Sequence, residues 1–135
     1  MRNGNVLVVE DDDIVRRLLI DYLKSHEPIE VHGARDGVEA LHLIVTNRYA
    51  VMILDVMMPK MSGVDVLVSL HALTSDPSVK ALDDPLAVLV ITAADEVALP
   101  DDALVQRYPR MVHGVFRKPL DVAALAARVE TYLRA

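Results

Sequence analysis

Three carboxylates stand directly behind runs of apolar residues: Glu10 and Asp11 follow Val6–Val9, and Asp55 follows Tyr49–Leu54. Thr92 follows a third such run, Leu86–Ile91, and Arg117 with Lys118 follow a fourth, Val112–Phe116. Carboxylates gathered at one edge of a partly buried cleft repel one another strongly unless a cation or protonation relieves them. A divalent cation is the natural relief. Oxygen-only ligands with open positions suit Mg²⁺, which keeps waters and takes oxygens from a phosphate. Beside such an ion Asp55 has the chemistry of a nucleophile toward a phosphoryl group, giving an acyl phosphate. Phosphoryl transfer asks mainly for positioning and charge neutralisation. Lys118 would therefore pair with the equatorial oxygens while Thr92 donates a hydroxyl hydrogen bond.

Taken singly, each of these residues has a plainer role. Glu10 to Asp13 suit a helix N-terminus, where carboxylates favour the dipole. Asp55 suits a turn, Thr92 a cap, and Lys118 before Pro119 a solvated surface. What favours chemistry is that all of them fall at the ends of separate predicted strands, on one side of one sheet. In open α/β sheets, ligands sit beyond the carboxyl ends of the strands.

The elements that must position them follow from hydrophobic periodicity. Short runs rich in Val, Ile and Leu alternate with longer segments of helical spacing, which is βα alternation. A helix after the first acids carries Ile14, Val15, Leu18, Leu19, Tyr22 and Leu23 on one stripe, capped by Asp12 or Asp13. A short strand is expected around Ile29–His32, then a helix through Val38, Leu41, His42, Ile44 and Val45. Val56–Gly63 reads as a loop and Val64–Leu73 as a helix with Ser62 as N-cap. Thr74–Pro85 holds Asp76-Pro77 and Asp83-Asp84-Pro85, so an extended connection or two turns is expected there. Pro100 and Pro109 bracket Ala93–Arg110, where any helix must be short or broken. Asp121 caps a terminal helix through Val122, Leu125, Val129 and Leu133. Strands apolar on both sides, with helices between them, imply a parallel sheet covered on both faces, a doubly wound α/β sandwich.

Composition excludes several functions. The chain has 135 residues, enough for one domain, and 53% of them are hydrophobic, enough for a core. Its 20 acidic residues outnumber its 14 basic ones, and the resulting charge of −6 disfavours autonomous binding to nucleic acid or anionic membrane. The absence of cysteine removes disulfides, thiolate zinc sites and cysteine nucleophiles. The start, MRNGNVLVVEDDD, reaches acids after four apolar residues, too few for a signal-peptide core or a membrane span, and a cytoplasmic protein is expected. Neither G-x-G-x-x-G nor G-x-x-x-x-G-K-[ST] occurs, and the five histidines lack metal-ligand spacing. Met52, Met57, Met58 and Met61 read as core and loop packing.

With these motifs in place, the sequence resembles a response regulator receiver domain over essentially its whole length. VLVVEDDDIVRRLL matches the family's first strand and acidic pair, DVMMPKMSG its phosphoacceptor loop, VLVITAA its switch hydroxyl, and FRKPLD its lysine and proline. The resemblance implies a flavodoxin-like fold with strand order 2-1-3-4-5. It implies that Asp55 is phosphorylated, that Asp11 binds Mg²⁺ directly and Glu10 largely through water, and that the backbone carbonyl of Met57 is a further metal ligand. Thr92 would be the switch hydroxyl, Ala93 the small residue leaving room for the phosphoryl group, and Lys118 its contact, with a cis peptide before Pro119. A sensor histidine kinase or histidine phosphotransfer protein would be the donor, and the added charge would bias a two-state equilibrium read by a downstream protein on the surface of the last two helices. Formation of a homodimer is left open. The expectation is a single receiver domain over residues 1–135 with no output domain, a signalling phosphoacceptor whose only chemistry is its own phosphorylation and dephosphorylation.

Three departures from the family stand out. Val115 occupies a position that commonly carries a tyrosine or phenylalanine whose ring swings inward, and Phe116 would face the opposite way. The intervals from Asp55 to Thr92 and from Thr92 to Lys118 are longer than usual, with the extra length in the proline-containing stretches. Met57 and Ala94 stand where polar groups in some receivers orient a hydrolytic water, which implies a long-lived phosphoryl group. The alternatives are a pseudo-receiver or scaffold that works without phosphorylation, and a Mg²⁺-dependent phosphohydrolase. The second would need a further acid beside the nucleophile, where the chain offers Val56 and Met57.

Overall fold

A strand that is apolar on both sides is satisfied only in the middle of a sheet covered on both faces. Strands β1 (Val6–Val9), β3 (Val51–Asp55) and β4 (Ala87–Thr92) are buried along their whole length. In the computed structural model, which describes residues 5–26, 29–58, 60–74, 86–93 and 103–133, they form the centre of a five-stranded parallel sheet. Strands β2 (Val31–Ala34) and β5 (Val112–Arg117) are its edges, and the order is β2-β1-β3-β4-β5. The doubly wound fold expected from the periodicity and the strand order implied by the resemblance are both present.

Alternate residues of each strand feed two cores. Val6, Val8, Val51, Ile53, Leu89 and Ile91 face helices α1 (Asp13–His26) and α5 (Val122–Leu133), meeting Leu19, Leu23, Leu125 and Val129. Leu7, Val9, Met52, Leu54, Val88 and Val90 face α2 (Gly37–Thr46), α3 (Gly63–Thr74) and the short α4 (Ala103–Arg107). Each buried aliphatic side chain contributes roughly 1.5–3 kcal/mol relative to exposure, so the sheet is held from both sides. Four helices start at the carboxyl end of the sheet under side-chain caps. Asp12 accepts from the amides of Ile14 and Val15, Asp36 from Glu39, Ser62 from Asp65, and Asp121 from Ala124. Of the two caps open from sequence for α1, the structure uses Asp12.

Some local expectations shift. Strand β2 lies two residues later than Ile29–His32, because its ladder with β1 begins where the Val6 amide donates to the Glu30 carbonyl and runs on through Gly33. Glycine is a weak strand former, which hid that end of the strand. The stripe of α1 is narrower than its apolar residues suggest: Leu19 and Leu23 are buried, whereas Ile14 is 81% exposed and Leu18 lies outside as well. Val38 and Val45 of α2 are likewise exposed. The connection expected over Thr74–Pro85 and the stretch around Pro100 fall almost wholly outside the described residues, as does Ala94. No helix among the described residues is long and apolar enough to cross a membrane.

Candidate functional site

Strand order 2-1-3-4-5 sends the chain one way from β1 and the other way from β3, which opens a crevice between their carboxyl ends. Glu10 and Asp11 leave β1 there and Asp55 ends β3. Glu10 is fully buried and Asp55 only 1% exposed, while Asp11 reaches solvent. One carboxylate oxygen from each of the three lies within 4.8 Å of the others. Among the described residues, no other group of His, Cys, Asp and Glu is gathered in this way.

Lys118 enters from the far end of β5. Its Nζ lies 3.4 Å from Asp55 Oδ2 and 3.5 Å from Glu10 Oε2. It is brought there by its own backbone, whose amide donates to the Thr92 carbonyl at 2.8 Å, and the following peptide to Pro119 is cis. Thr92 closes β4 and is buried, one residue beyond the Asp55–Ile91 register pair. Ala93 follows at the same rim, its carbonyl accepting from Arg117. The amide of Met57 donates to Asp55 Oδ1 at 3.0 Å, which fixes one carboxylate oxygen, while the Met57 side chain is 56% exposed. Thus Glu10, Asp11, Asp55 and Lys118 converge in space, with Thr92, Ala93 and Met57 on the same rim. Of the other methionines, Met52 is core, and Met58 and Met61 pack against it.

Charge dominates this pocket. Burial, then a hydrogen bond with Asp55 and the Asp55 charge, push the Glu10 carboxyl up to about 8, against the opposing pull of the Asp12 amide and Lys118. Burial works to lower the Lys118 ammonium, but the charges of Asp55 and Glu10 outweigh it and hold the lysine above its ordinary value. Glu10 Oε1 accepts from the Asp12 amide, whereas the buried Oε2 meets no hydrogen-bond donor in good geometry and has only the Lys118 ammonium at 3.5 Å. A buried oxygen without a donor is costly. Carboxylate oxygens of Glu10, Asp11 and Asp55 within 4.8 Å of one another form a hard-ligand set that fits a divalent cation such as Mg²⁺.

One residue that shapes the site was not singled out in the sequence. Gly63, the first residue of α3, donates its amide to the Val56 carbonyl. A Cβ there would lie 2.5 Å from the Asp55 carbonyl oxygen and 2.8 Å from Val56 Cα. Only glycine lets the helix start this close beneath the Asp55 loop. The signal was its place at the end of DVMMPKMSG, directly after the Ser62 cap.

Comparison with known proteins agrees with this geometry. The family described as response regulator receiver domain matches residues 6–130. The transcriptional regulatory protein SrrA of Staphylococcus aureus is 30% identical over 132 residues, 98% of this chain and 48% of that protein. The chain therefore spans about half the length of the curated relatives it matches. Among solved structures, the receiver domain of a Francisella response regulator superposes with a TM-score of 0.78 at 26% identity, covering 98% of each chain. The receiver domain of a LuxO-type repressor from Vibrio parahaemolyticus gives 0.74 at 26% identity, over 98% of this chain and 92% of that one. The chain belongs to the response regulator receiver domains, the receiving modules of two-component signalling.

Proposed function

We propose that Asp55 is the phosphoacceptor of this receiver, taking its phosphoryl group from a phosphohistidine on a sensor histidine kinase or a histidine phosphotransfer protein. The observation that carries the reading is the buried Asp55 carboxylate with Lys118 Nζ at 3.4 Å, beside two further carboxylates. In the transfer an Asp55 oxygen bonds to phosphorus and the phosphorus–nitrogen bond to the donor imidazole breaks. The electron pair goes to that imidazole, which takes a proton from water. Mg²⁺ held by Asp11, Asp55, the Met57 carbonyl and, through water, Glu10 would supply positive charge against the phosphoryl oxygens. Lys118 turns from the Asp55 carboxylate to the new oxygens, Thr92 donates its hydroxyl to them, and the small Ala93 leaves them space. The altered rim then biases the surface of the last two helices toward a downstream protein.

The test is intact-mass spectrometry after exposure to an acyl phosphate donor or a phosphorylated histidine kinase with Mg²⁺. One phosphoryl adduct is expected on the wild type, none on Asp55→Asn, and none with a chelator. An adduct of equal size on Asp55→Asn would overturn the assignment. The exposed Met57 thioether beside Asp55 offers a hydrolytic water no strong hydrogen-bond partner, so the adduct should persist after the donor is removed. Val115 favours one second reading, a scaffold whose partner binds regardless of phosphorylation. Equal partner affinity for the labelled and unlabelled chain would select it.

A further inference from the structure

The turn Glu10–Asp13 places four acidic residues in a row, yet two of them must be aimed at Asp55. Its main chain is pinned from two directions. The Glu10 amide donates to the Ala34 carbonyl at 3.1 Å, and Arg16 Nη1 donates to the Glu10 carbonyl at 2.8 Å. The other guanidinium nitrogen of Arg16 pairs with Asp13, and the Arg16 amide donates to Asp12. The Arg16 side chain is only 16% exposed, because it lies in a slot that Gly33 leaves open. A Cβ on Gly33 would come within 3.2 Å of Arg16 Cδ and 2.9 Å of Ile20 Cδ1.

We infer that Arg16, seated in the Gly33 slot, is a positioning residue of the cation site: by holding the Glu10 carbonyl it fixes the direction in which the Glu10 and Asp11 carboxylates point. The inference rests on the reading that these carboxylates take Mg²⁺. A planar guanidinium can hold a carbonyl and a carboxylate together, which an ammonium does less well. Positioning and simple charge balance predict opposite signs. Removing a positive charge beside a cation site strengthens Mg²⁺ binding if charge is all that matters, and weakens it if the turn loses its aim.

Calorimetric titration of the unphosphorylated chain with MgCl₂ separates these cases. Arg16→Gln should bind Mg²⁺ about tenfold more weakly than wild type, the order of effect seen when a residue supporting metal ligands is lost. Gly33→Val, which keeps the charge but fills the slot, should weaken binding similarly and add nothing further in combination with Arg16→Gln. Arg16→Lys, also retaining the charge, should bind more weakly than wild type and carries the test if the glutamine variant does not fold. Unchanged or tighter binding in Arg16→Gln and Gly33→Val overturns the inference, even if both melt at lower temperature. A wild type that binds no Mg²⁺ overturns the cation reading and this inference with it, whereas wild-type binding with unaffected variants overturns this inference alone.

Discussion

The two sides of the crevice are built differently. On the β1–β3 side, a cap, a strand amide, a guanidinium and a glycine too close for any Cβ hold the acids in place. On the β5 side, the Lys118 backbone is held by one hydrogen bond to Thr92 and its ammonium only by the acids opposite, and the strand behind it offers Val115 to one core and Phe116 to the other. Rigid construction suits the half that must present oxygens in a fixed arrangement. The looser half is where a charge added at Asp55 would have to be felt, and there the side chain facing α4 is a small branched aliphatic. Under the proposed function, accepting a phosphoryl group and reporting it would thus be separable demands on this chain.

The largest test of that contrast compares two glycines. A methyl group on Gly63 meets the Asp55 carbonyl oxygen at 2.5 Å, so backbone must move. Gly63→Ala should cost about 2–3 kcal/mol of stability, the upper range for overpacking, with the loss read by urea denaturation. A methyl group on Gly114 of β5 meets the Arg128 Nη2 at 3.1 Å, the end of a flexible side chain on the surface. Gly114→Ala should stay within about 1 kcal/mol of wild type, since alanine also suits a strand better than glycine. Similar costs at both positions would erase the distinction between the two sides.

The same contrast explains what could be read from sequence. Strands β1, β3 and β4 were legible because burial on both faces demands unbroken apolar runs. The acids, Thr92 and Lys118 were legible because each directly ends such a run or its neighbour. Burial by approach was not legible. Nothing in the string distinguishes the exposed Ile14 and Leu18 from the buried Leu19 and Leu23, because the partners of α1 lie far along the chain. Gly33 and Gly63 look like ordinary breaks in pattern, and only their neighbours in space, Arg16 and the Asp55 backbone, show what each makes room for.

A second test concerns charge on the rigid side. Burial and Asp55 raise the Glu10 carboxyl from 4.5 to about 8. Between these values the folded chain holds a proton that the unfolded chain has released, so without metal its stability should fall as pH rises through that window. A cation at the cluster displaces that proton. Mg²⁺ affinity should therefore climb with pH by up to about tenfold per unit and level off above about 8. Calorimetry in two buffers of different ionisation enthalpy would read the released proton directly. Glu10→Gln should flatten the pH dependence, and a steep dependence surviving in that variant would place the proton elsewhere.

The smallest effect is expected on the other side. Val115 packs against the core that holds Leu104 and Tyr108, while Phe116 lies on the opposite face with the Arg128 guanidinium 5.8 Å from its ring centre. With a valine at 115 there is no ring to move, so a phosphoryl mimic at Asp55 should disturb the rim and little beyond it. Beryllium fluoride with Mg²⁺ should shift backbone amide resonances around Asp55, Thr92, Ala93 and Lys118 in the wild type, leaving those of α4 and the start of β5 nearly still. Val115→Phe adds a ring at a half-buried position and should change stability by about 1 kcal/mol or less. In that variant the shifts should spread along β5 toward Val112 and Met111. If the wild type already shows that spread, the message crosses β5 without an aromatic side chain, and the looser side of the crevice is coupled through its backbone, along the bond from the Lys118 amide to Thr92.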